Sequence, residues 1–342
     1  MQQHIGRVTT TDGTAIAYAS VGSGRAVVYV SGWLSHLELS WDLPEERAFY
    51  ESLAEGCRLV RYDRAGCGLS PGSDRPPSMA YELEQLAALA DLLGPEPFDV
   101  IGASLGALVA VAWAGGHPET VRRLVLYGGW ARGADISSPG ARDHILGLVQ
   151  SHWGLGADVL TDIFAPDADS AMRSAFGRYQ RAASTADTAR TLLAMSYDLD
   201  VTDLLGQVRA PTLVLHRAQD RAAPVEQAGA LADGIPDADL MVLPGRSHLP
   251  YAGDAQSLVA PIRRFLGLRS LRRAPRALTP RQIEVAALVS AGCTNREIAL
   301  RLGIDERSAE GHVERIRVRL GFRSRAQIAT WYASQRGGPG RK

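Results

Sequence analysis

The stretch that most constrains this chain is Val100-Ile101-Gly102-Ala103-Ser104-Leu105-Gly106-Ala107. A short apolar run, Phe98 to Ile101, stops at Gly-x-Ser-x-Gly, and an almost uniformly apolar stretch, Leu108 to Ala114, follows. The pattern predicts a buried strand, a very tight turn and a buried helix. A serine on such a turn is held in strained backbone geometry, with its hydroxyl exposed near a helix N-terminus. Glycine suits positions 102 and 106 because a Cβ there would crowd the turn against strand and helix. An ordinary strand-to-helix turn can carry the same pattern, so the reading depends on the rest of the chain.

The flanking sequence supplies a scaffold. Arg7 to Thr11 and Ala15 to Tyr18 flank Asp12-Gly13, a hairpin signal. Further strands are predicted at Ala26 to Ser31, Arg58 to Tyr62, Val121 to Tyr127, Pro211 to His216 and Leu240 to Leu243, with a helix at Met79 to Leu93. Strands alternating with helices imply a mostly parallel sheet covered on both faces. Ligands in such sheets bind beyond the carboxyl ends of the strands, where Ser104 is expected. Two more polar residues follow strands: Asp220, after Thr212 to His216, and His248, after Met241 to Leu243. Taken singly, Asp220 reads as a loop-capping carboxylate and His248 as a core histidine. Together with Ser104 they have the chain order Ser, Asp, His of the α/β-hydrolases.

That set has a chemical logic. Serine is a poor nucleophile until a neutral imidazole takes its proton, and the imidazole needs a carboxylate to fix its tautomer. The oxyanion that forms needs two amide donors; the candidates are the backbone N–H groups of Leu105 and Trp33. From Trp130 to Leu205 the strand rhythm gives way to helical stretches rich in aromatics. An insert at about 130–207 falls where α/β-hydrolases carry a cap, and Trp33, Trp130, Trp153 and Tyr179 are the expected lining of an apolar ligand pocket.

Charge divides the chain. Residues 269–342 hold 16 basic and 6 acidic residues, a net of +10, whereas the preceding 268 hold 21 basic and 31 acidic, a net of −10. An acidic body with a basic tail predicts two domains, the second with nucleic acid as its natural partner unless the tail is only a solvated basic segment, and the helix pattern of the tail then points to double-stranded DNA. The expected division is 1–268, an arginine-rich linker at 269–277, and 278–342. Cys57, Cys67 and Cys293 provide neither a disulfide framework nor zinc spacing. The N-terminus lacks a signal-peptide profile, and no apolar run approaches a membrane span. The expectation is a cytoplasmic protein with no metal, no cofactor and no membrane association.

The tail reads as four helices. Thr279-Pro280-Arg281-Gln282, Thr294-Asn295-Arg296-Glu297 and Ser324-Arg325-Ala326-Gln327 are capping boxes, and Asp305 caps a further helix ending at Leu320. Helix, short glycine turn, helix over Thr294 to Leu320 is a helix-turn-helix pattern. On the last of these helices Ala309, Val313, Ile316 and Leu320 form a core face, and the opposite face carries Arg307, Gly311, Glu314 and Val318, flanked by Ser308, Glu310 and Arg315. That second face is expected to enter the major groove. Thr294, Asn295, Arg323 and Arg325 are candidate phosphate contacts at helix N-termini.

Two resemblances follow from these residues. Val28 to Glu38, Tyr62-Asp63-Arg64 with Gly68-Leu69-Ser70, and Ser247 to Asp254 resemble a subset of α/β-hydrolases joined to signalling outputs, over roughly residues 6 to 268. This chain departs from it with Ser31-Gly32 at the oxyanion loop and Ser104-Leu105-Gly106-Ala107 at the turn. Leu278-Thr279-Pro280-Arg281, Glu284, Thr294 to Ala299, Glu310-Gly311-His312-Val313 and Leu320-Gly321 resemble the LuxR-type helix-turn-helix, over about 278 to 335. The second resemblance places DNA-reading positions on Arg307, Ser308, Glu310, Gly311 and Glu314. It also implies a homodimer, at least on DNA, with Ile328, Trp331 and Tyr332 as exposed apolar candidates on the last helix. The expected architecture is therefore an α/β-hydrolase fold with a helical cap, followed by a small all-α LuxR-type domain. The expected function is a transcription regulator that senses, and slowly hydrolyses, a small apolar ester- or lactone-like ligand. The alternative is an active serine hydrolase with an accessory DNA-binding domain.

Overall fold

The computed structural model describes residues 1–268, 278–320, 322 and 324–336. The chain divides into two compact units, Met1–Arg269 and Ser270–Lys342. The arginine-rich stretch 269–277 lies outside the described residues, as does Arg323.

The first unit begins β1(His4–Thr9), β2(Ala15–Gly22), β3(Ala26–Val30), α1(Leu37–Asp42), α2(Pro44–Ala54), β4(Arg58–Tyr62), α3(Met79–Leu93), β5(Phe98–Ala103), α4(Leu105–Gly116) and β6(Val121–Tyr127). An insert follows: a short 3₁₀ turn at Gly133–Asp135, then α5(Pro139–Ser151), α6(Trp153–Phe164), α7(Ser170–Ala183), α8(Ala186–Asp198) and α9(Thr202–Leu205). The unit closes with β7(Thr212–Arg217), α10(Val225–Gly234), β8(Ala238–Leu243) and α11(Gln256–Phe265). All eight strands form one sheet in the order β1-β2-β4-β3-β5-β6-β7-β8. Only the hairpin partners β1 and β2 run antiparallel to their neighbours.

The strand order positions the site. After β3 the chain moves outward one way, through α1 and α2 to β4; after β5 it moves the other way, through α4 to β6. Such a reversal leaves a crevice between the carboxyl ends of the two central strands. The loop after β3 and the turn before α4 both open into it. Helix α4 is buried from Leu105 to Ala114, as its apolar sequence requires, and fixes that turn against the sheet. Helices α1 and α2, which have no clear sequence signature, pack beside this crevice and bring Glu46 into the interior.

The second unit consists of α12(Pro280–Ser290), α13(Asn295–Leu302), α14(Glu306–Leu320) and α15(Arg325–Arg336). Capping boxes open α12 and α13, with Thr279 paired to Gln282 and Thr294 to Glu297. Asp305 accepts from Ser308 N–H at 2.8 Å to open α14, and Gly303, at φ +64°, ends α13. The core joins Val285, Ala286 and Val289 to Ile298, Ala309, Ile316 and Ile328. Ile328 is thus a core residue, not an exposed one, because α15 packs back on α12. Trp331 and Tyr332 are half-buried against the same cluster. Among the described residues no helix is long and apolar enough to cross a membrane.

Candidate active site and nucleic-acid interface

Ser104 sits at φ +55°, and is the one non-glycine residue with positive φ among the described residues. Such a conformation costs on the order of 1–3 kcal/mol and persists only where the surroundings enforce it. Here the surroundings are explicit. A Cβ at Gly102 would lie 2.5 Å from Gly106 O, and one at Gly106 would collide with Val30 O and Ser31 O. The turn is therefore pressed against β3 and its loop, which glycine alone permits.

Three side chains meet above this turn. Ser104 Oγ lies 2.8 Å from His248 Nε2, and His248 Nδ1 lies 2.7 Å from Asp220 Oδ2. The other oxygen of Asp220 accepts from Ala222 N–H at 2.8 Å. Burial would push the Asp220 carboxyl up, but the adjacent His248 ring and the Ala222 amide hold it below the ordinary carboxylate range. An ionised Asp220 requires the His248 proton on Nδ1, which leaves Nε2 free to accept from serine. The cap holds the histidine loop in place: Phe164 O, at the end of α6, accepts from His248 N–H at 2.7 Å and from Ser247 Oγ at 3.1 Å. Three segments more than a hundred residues apart at the extremes thus converge on one hydroxyl.

The loop after β3 is held from below. Arg64 is buried and paired with Glu82 at 3.2 Å. Its guanidinium donates to Gly32 O and, at 3.2 Å, to Ser31 O. In a planar trans peptide the carbonyl and the N–H point in opposite directions. Tying Gly32 O to Arg64 therefore turns Trp33 N–H away from Arg64, and Gly32 itself lies against the Ser104 side chain. Leu105 N–H opens α4 immediately after the serine. Arg64→Lys keeps the charge opposite Glu82 but loses the fork. It is expected to slow phosphonylation of Ser104 about tenfold or more, read by intact mass over time; an unchanged rate would show that the Trp33 peptide is oriented without Arg64.

Two cavities meet at the serine, and both are bordered by Trp33, Ser104, Phe164 and His248. Tyr179 lines the first and Trp130 the second. Trp153 lies on the wall of neither. Its ring meets Trp33 edge-on at 6.1 Å, and its indole N–H donates to Ser184 O at 3.2 Å, so it braces Trp33 from behind. Sequence reasoning missed Glu46, Tyr50, Gln180 and Tyr251, all of which line the first cavity. Periodicity on α2 and α7 carried the only available signal, and polar residues on a buried face are read there as solvent-facing.

In the second unit Arg307, Glu310, Glu314 and Arg315 are exposed on α14, and Val318 is 66% exposed on the same side. A Cβ at Gly311 would meet only the tip of the Arg315 side chain, at 3.2 Å. Nothing in the fold demands glycine there, although mid-helix glycine costs about 1 kcal/mol relative to alanine. Other candidates are engaged internally. Ser308 Oγ donates to Asp305 at 2.6 Å, Thr294 is tied to Glu297, and Glu314 is paired with Arg317 at 2.6 Å. Arg325 donates to Asn295 Oδ1 at 2.7 Å, clamping the start of α15 to the start of α13.

Comparison with known families matches residues 25–255 to the alpha/beta hydrolase fold. The chain belongs to the α/β-hydrolase fold family. Residues 276–332 match the bacterial regulatory proteins of the luxR family, so this α/β-hydrolase is joined to a LuxR-type helix-turn-helix domain. Over its hydrolase part the chain is 27% identical to a pimeloyl-[acyl-carrier protein] methyl ester esterase of Chromobacterium violaceum, covering 70% of this chain and 93% of that one. It is 30% identical to a 2-hydroxymuconate semialdehyde hydrolase of Pseudomonas putida, covering 61% and 76% respectively. A solved thermophilic esterase from Thermogutta terrifontis superposes with a TM-score of 0.63 at 26% identity, covering 77% of this α/β-hydrolase chain and 98% of its own.

Proposed function

We propose that this chain is a DNA-binding transcription regulator whose α/β-hydrolase domain recognises, and slowly cleaves, a small apolar ester or lactone. The observation that carries the reading is the coexistence of two features. One is a serine within 2.8 Å of an imidazole that is itself 2.7 Å from a buried carboxylate. The other is a LuxR-type domain on the same chain. Ser104 is the nucleophile, His248 the general base, Asp220 the group that orients it, and the N–H groups of Trp33 and Leu105 receive the oxyanion. The apolar lining of both cavities suits a small hydrophobic ligand, and the relatives named as esterases support carboxylic-ester chemistry. For the ligand to regulate DNA binding, it must bind one state of the protein better than another.

On the DNA side, Arg307, Ser308, Glu310, Gly311 and Glu314 read base edges with Arg315 flanking them, Thr294, Asn295 and Arg325 contact phosphate or position the helices, and Arg323, outside the described residues, is a further phosphate candidate. A homodimer, at least on DNA, follows from the LuxR-type architecture. The full chain is expected to bind its own upstream DNA selectively, with affinity falling steeply as salt rises. Gly311→Leu is expected to weaken that binding at least about tenfold, as an added side chain holds α14 out of the groove, while thermal unfolding stays unchanged or improves. Binding that is indifferent to sequence, or to Gly311→Leu, would overturn this reading. The second reading, an active serine hydrolase with an accessory DNA-binding domain, is favoured by the completeness of the triad. A reporter comparing Ser104→Ala with wild type separates them: a lost response implicates turnover, a retained one binding.

A further inference from the structure

The first cavity has two different ends. One, at Trp33, Ser104, Phe164 and His248, is shared with the second large cavity. The other, at Ser31, Glu46, Tyr50 and Tyr179, abuts a small cavity that touches neither Ser104 nor His248. The walls between are apolar and aromatic, but this far end is polar and fully buried. Glu46 is 4% exposed; its Oε1 accepts from Tyr50 O–H at 2.8 Å, and its Oε2 makes no well-formed hydrogen bond, although the Tyr251 hydroxyl lies beside the carboxyl. Gln180, on the same cavity wall, is 0% exposed. Its amide Nε2 donates to Ala157 O at 2.9 Å and to Thr161 Oγ1 at 2.8 Å, which fixes the side chain and leaves Oε1 without a partner. A buried acceptor, Gln180 Oε1, and a buried carboxyl oxygen, Glu46 Oε2, therefore belong to residues on the wall of a cavity whose opposite end is a nucleophile. Leaving such groups unmatched is costly.

We propose that this cavity ends in a polar recognition site, built on Glu46 and Gln180, for an ester or lactone that carries a hydroxyl group remote from its carbonyl. The inference rests on the reading of Ser104 as the reactive end of the same cavity. A hydroxyl can donate to Gln180 Oε1 and can pair with the Glu46 carboxyl in either protonation state, and it brings no charge into the interior. A protonated amine is disfavoured because a cation is already present: the Arg61 guanidinium stacks on the Tyr50 ring at 3.9 Å. Burial also pushes the Glu46 carboxyl up to about 7, so near neutrality it is no fixed anion waiting for a cation. The tyrosines Tyr29, Tyr50, Tyr179 and Tyr251 all lie close enough for the Glu46 charge to raise their phenols further.

A site built to hydrogen-bond a ligand hydroxyl rejects the analogue that lacks it, because its own buried groups are left unpaired. The test uses full-length Ser104→Ala protein, which binds without turnover, and calorimetric titration. The probes are methyl ω-hydroxyalkanoates of about four to eight carbons and the matching ω-hydroxyalkyl acetates, each against its deoxy parent, a series that brackets small-ligand lengths. At one chain length the hydroxylated ester is expected to bind at least about tenfold tighter than its parent, and Glu46→Met is expected to remove that margin. Equal affinities at every length, the result if these acceptors serve only water, would overturn the proposal. So would failure of every ester to bind, a margin that survives Glu46→Met, or tighter binding of the ω-amino analogue. If Glu46→Met does not fold, the margin in the otherwise unaltered protein decides. Phosphonylation of Ser104 in wild type is scored separately, so an inert serine and a missing hydroxyl preference are distinguishable.

Discussion

Exposed to a fluorophosphonate, the full chain is expected to gain one phosphonyl group per molecule, and Ser104→Ala none. Ser104 Oγ forms a bond to phosphorus, the P–F bond breaks, fluoride leaves, and the hydroxyl proton passes to His248 Nε2, 2.8 Å away. The reaction needs an activated serine but no knowledge of the ligand. Asp220→Asn is expected to leave the fold intact and to cut the labelling rate by on the order of 10⁴-fold, because an amide no longer holds the imidazole in the tautomer that accepts from serine. His248→Ala is expected to cost more than about 10³-fold. Intact mass against time measures all three. Labelling that persists in Ser104→Ala would place the nucleophile elsewhere, and an unlabelled wild type would show that the triad does not activate its serine.

The second large effect concerns Glu46 and stability. Burial raises its carboxyl to about 7 from 4.5, against the lowering influence of the Tyr50 hydrogen bond and of Arg61. As pH rises above 4.5 the unfolded chain releases this proton while the native chain keeps it until about 7. The unfolded state then binds fewer protons than the native state, so stability falls across that window and is level above it. The shift corresponds to a penalty on the order of 3 kcal/mol at pH 8. Arg61 and Asp63 face the group in wild type and variant alike; burial raises the Asp63 carboxyl as well, so only the difference between the two proteins belongs to Glu46. The phenols of Tyr29, Tyr50, Tyr179 and Tyr251, raised by burial, do not ionise in this range. Glu46→Gln keeps an acceptor for Tyr50 and cannot ionise. At pH 8 it is expected to raise the melting temperature of the larger unit by several degrees, and by much less at pH 5. A variant less stable than wild type at pH 8 would mean that Glu46 is buried as a carboxylate paired with Arg61.

The features legible along the chain lie within short windows. The Asp12-Gly13 hairpin, the helix Met79–Leu93, the strands Arg58–Tyr62 and Val121–Tyr127, and the capping boxes at Thr279 and Thr294 all appear where their local signals put them. A cap hydrogen bond joins residues three apart, and a glycine turn is enforced by atoms in direct contact, so a few consecutive residues suffice to specify them. The order of Ser104, Asp220 and His248 was legible for a related reason: each is fixed to the end of a strand, and the sheet fixes the strand ends.

The tertiary structure alone decided which side chains face the cavities and which stand behind them. Trp33 and Trp153 are both aromatic and near the cap, yet only Trp33 reaches the serine, and Trp153 supports it. Ile328 looked available for a partner until α15 was seen to fold back on α12. Asn295 and Arg325, each plausible at a phosphate, hold one another across 30 residues. Glu46 was the least legible of all, since a glutamate in the first turn of an ordinary helix reads as a surface residue favoured by the helix dipole. Its burial depends on Tyr50, Tyr179 and Tyr251 closing around it from three separate segments. The walls of a cavity are set by contacts between residues far apart in the chain, which local periodicity does not encode.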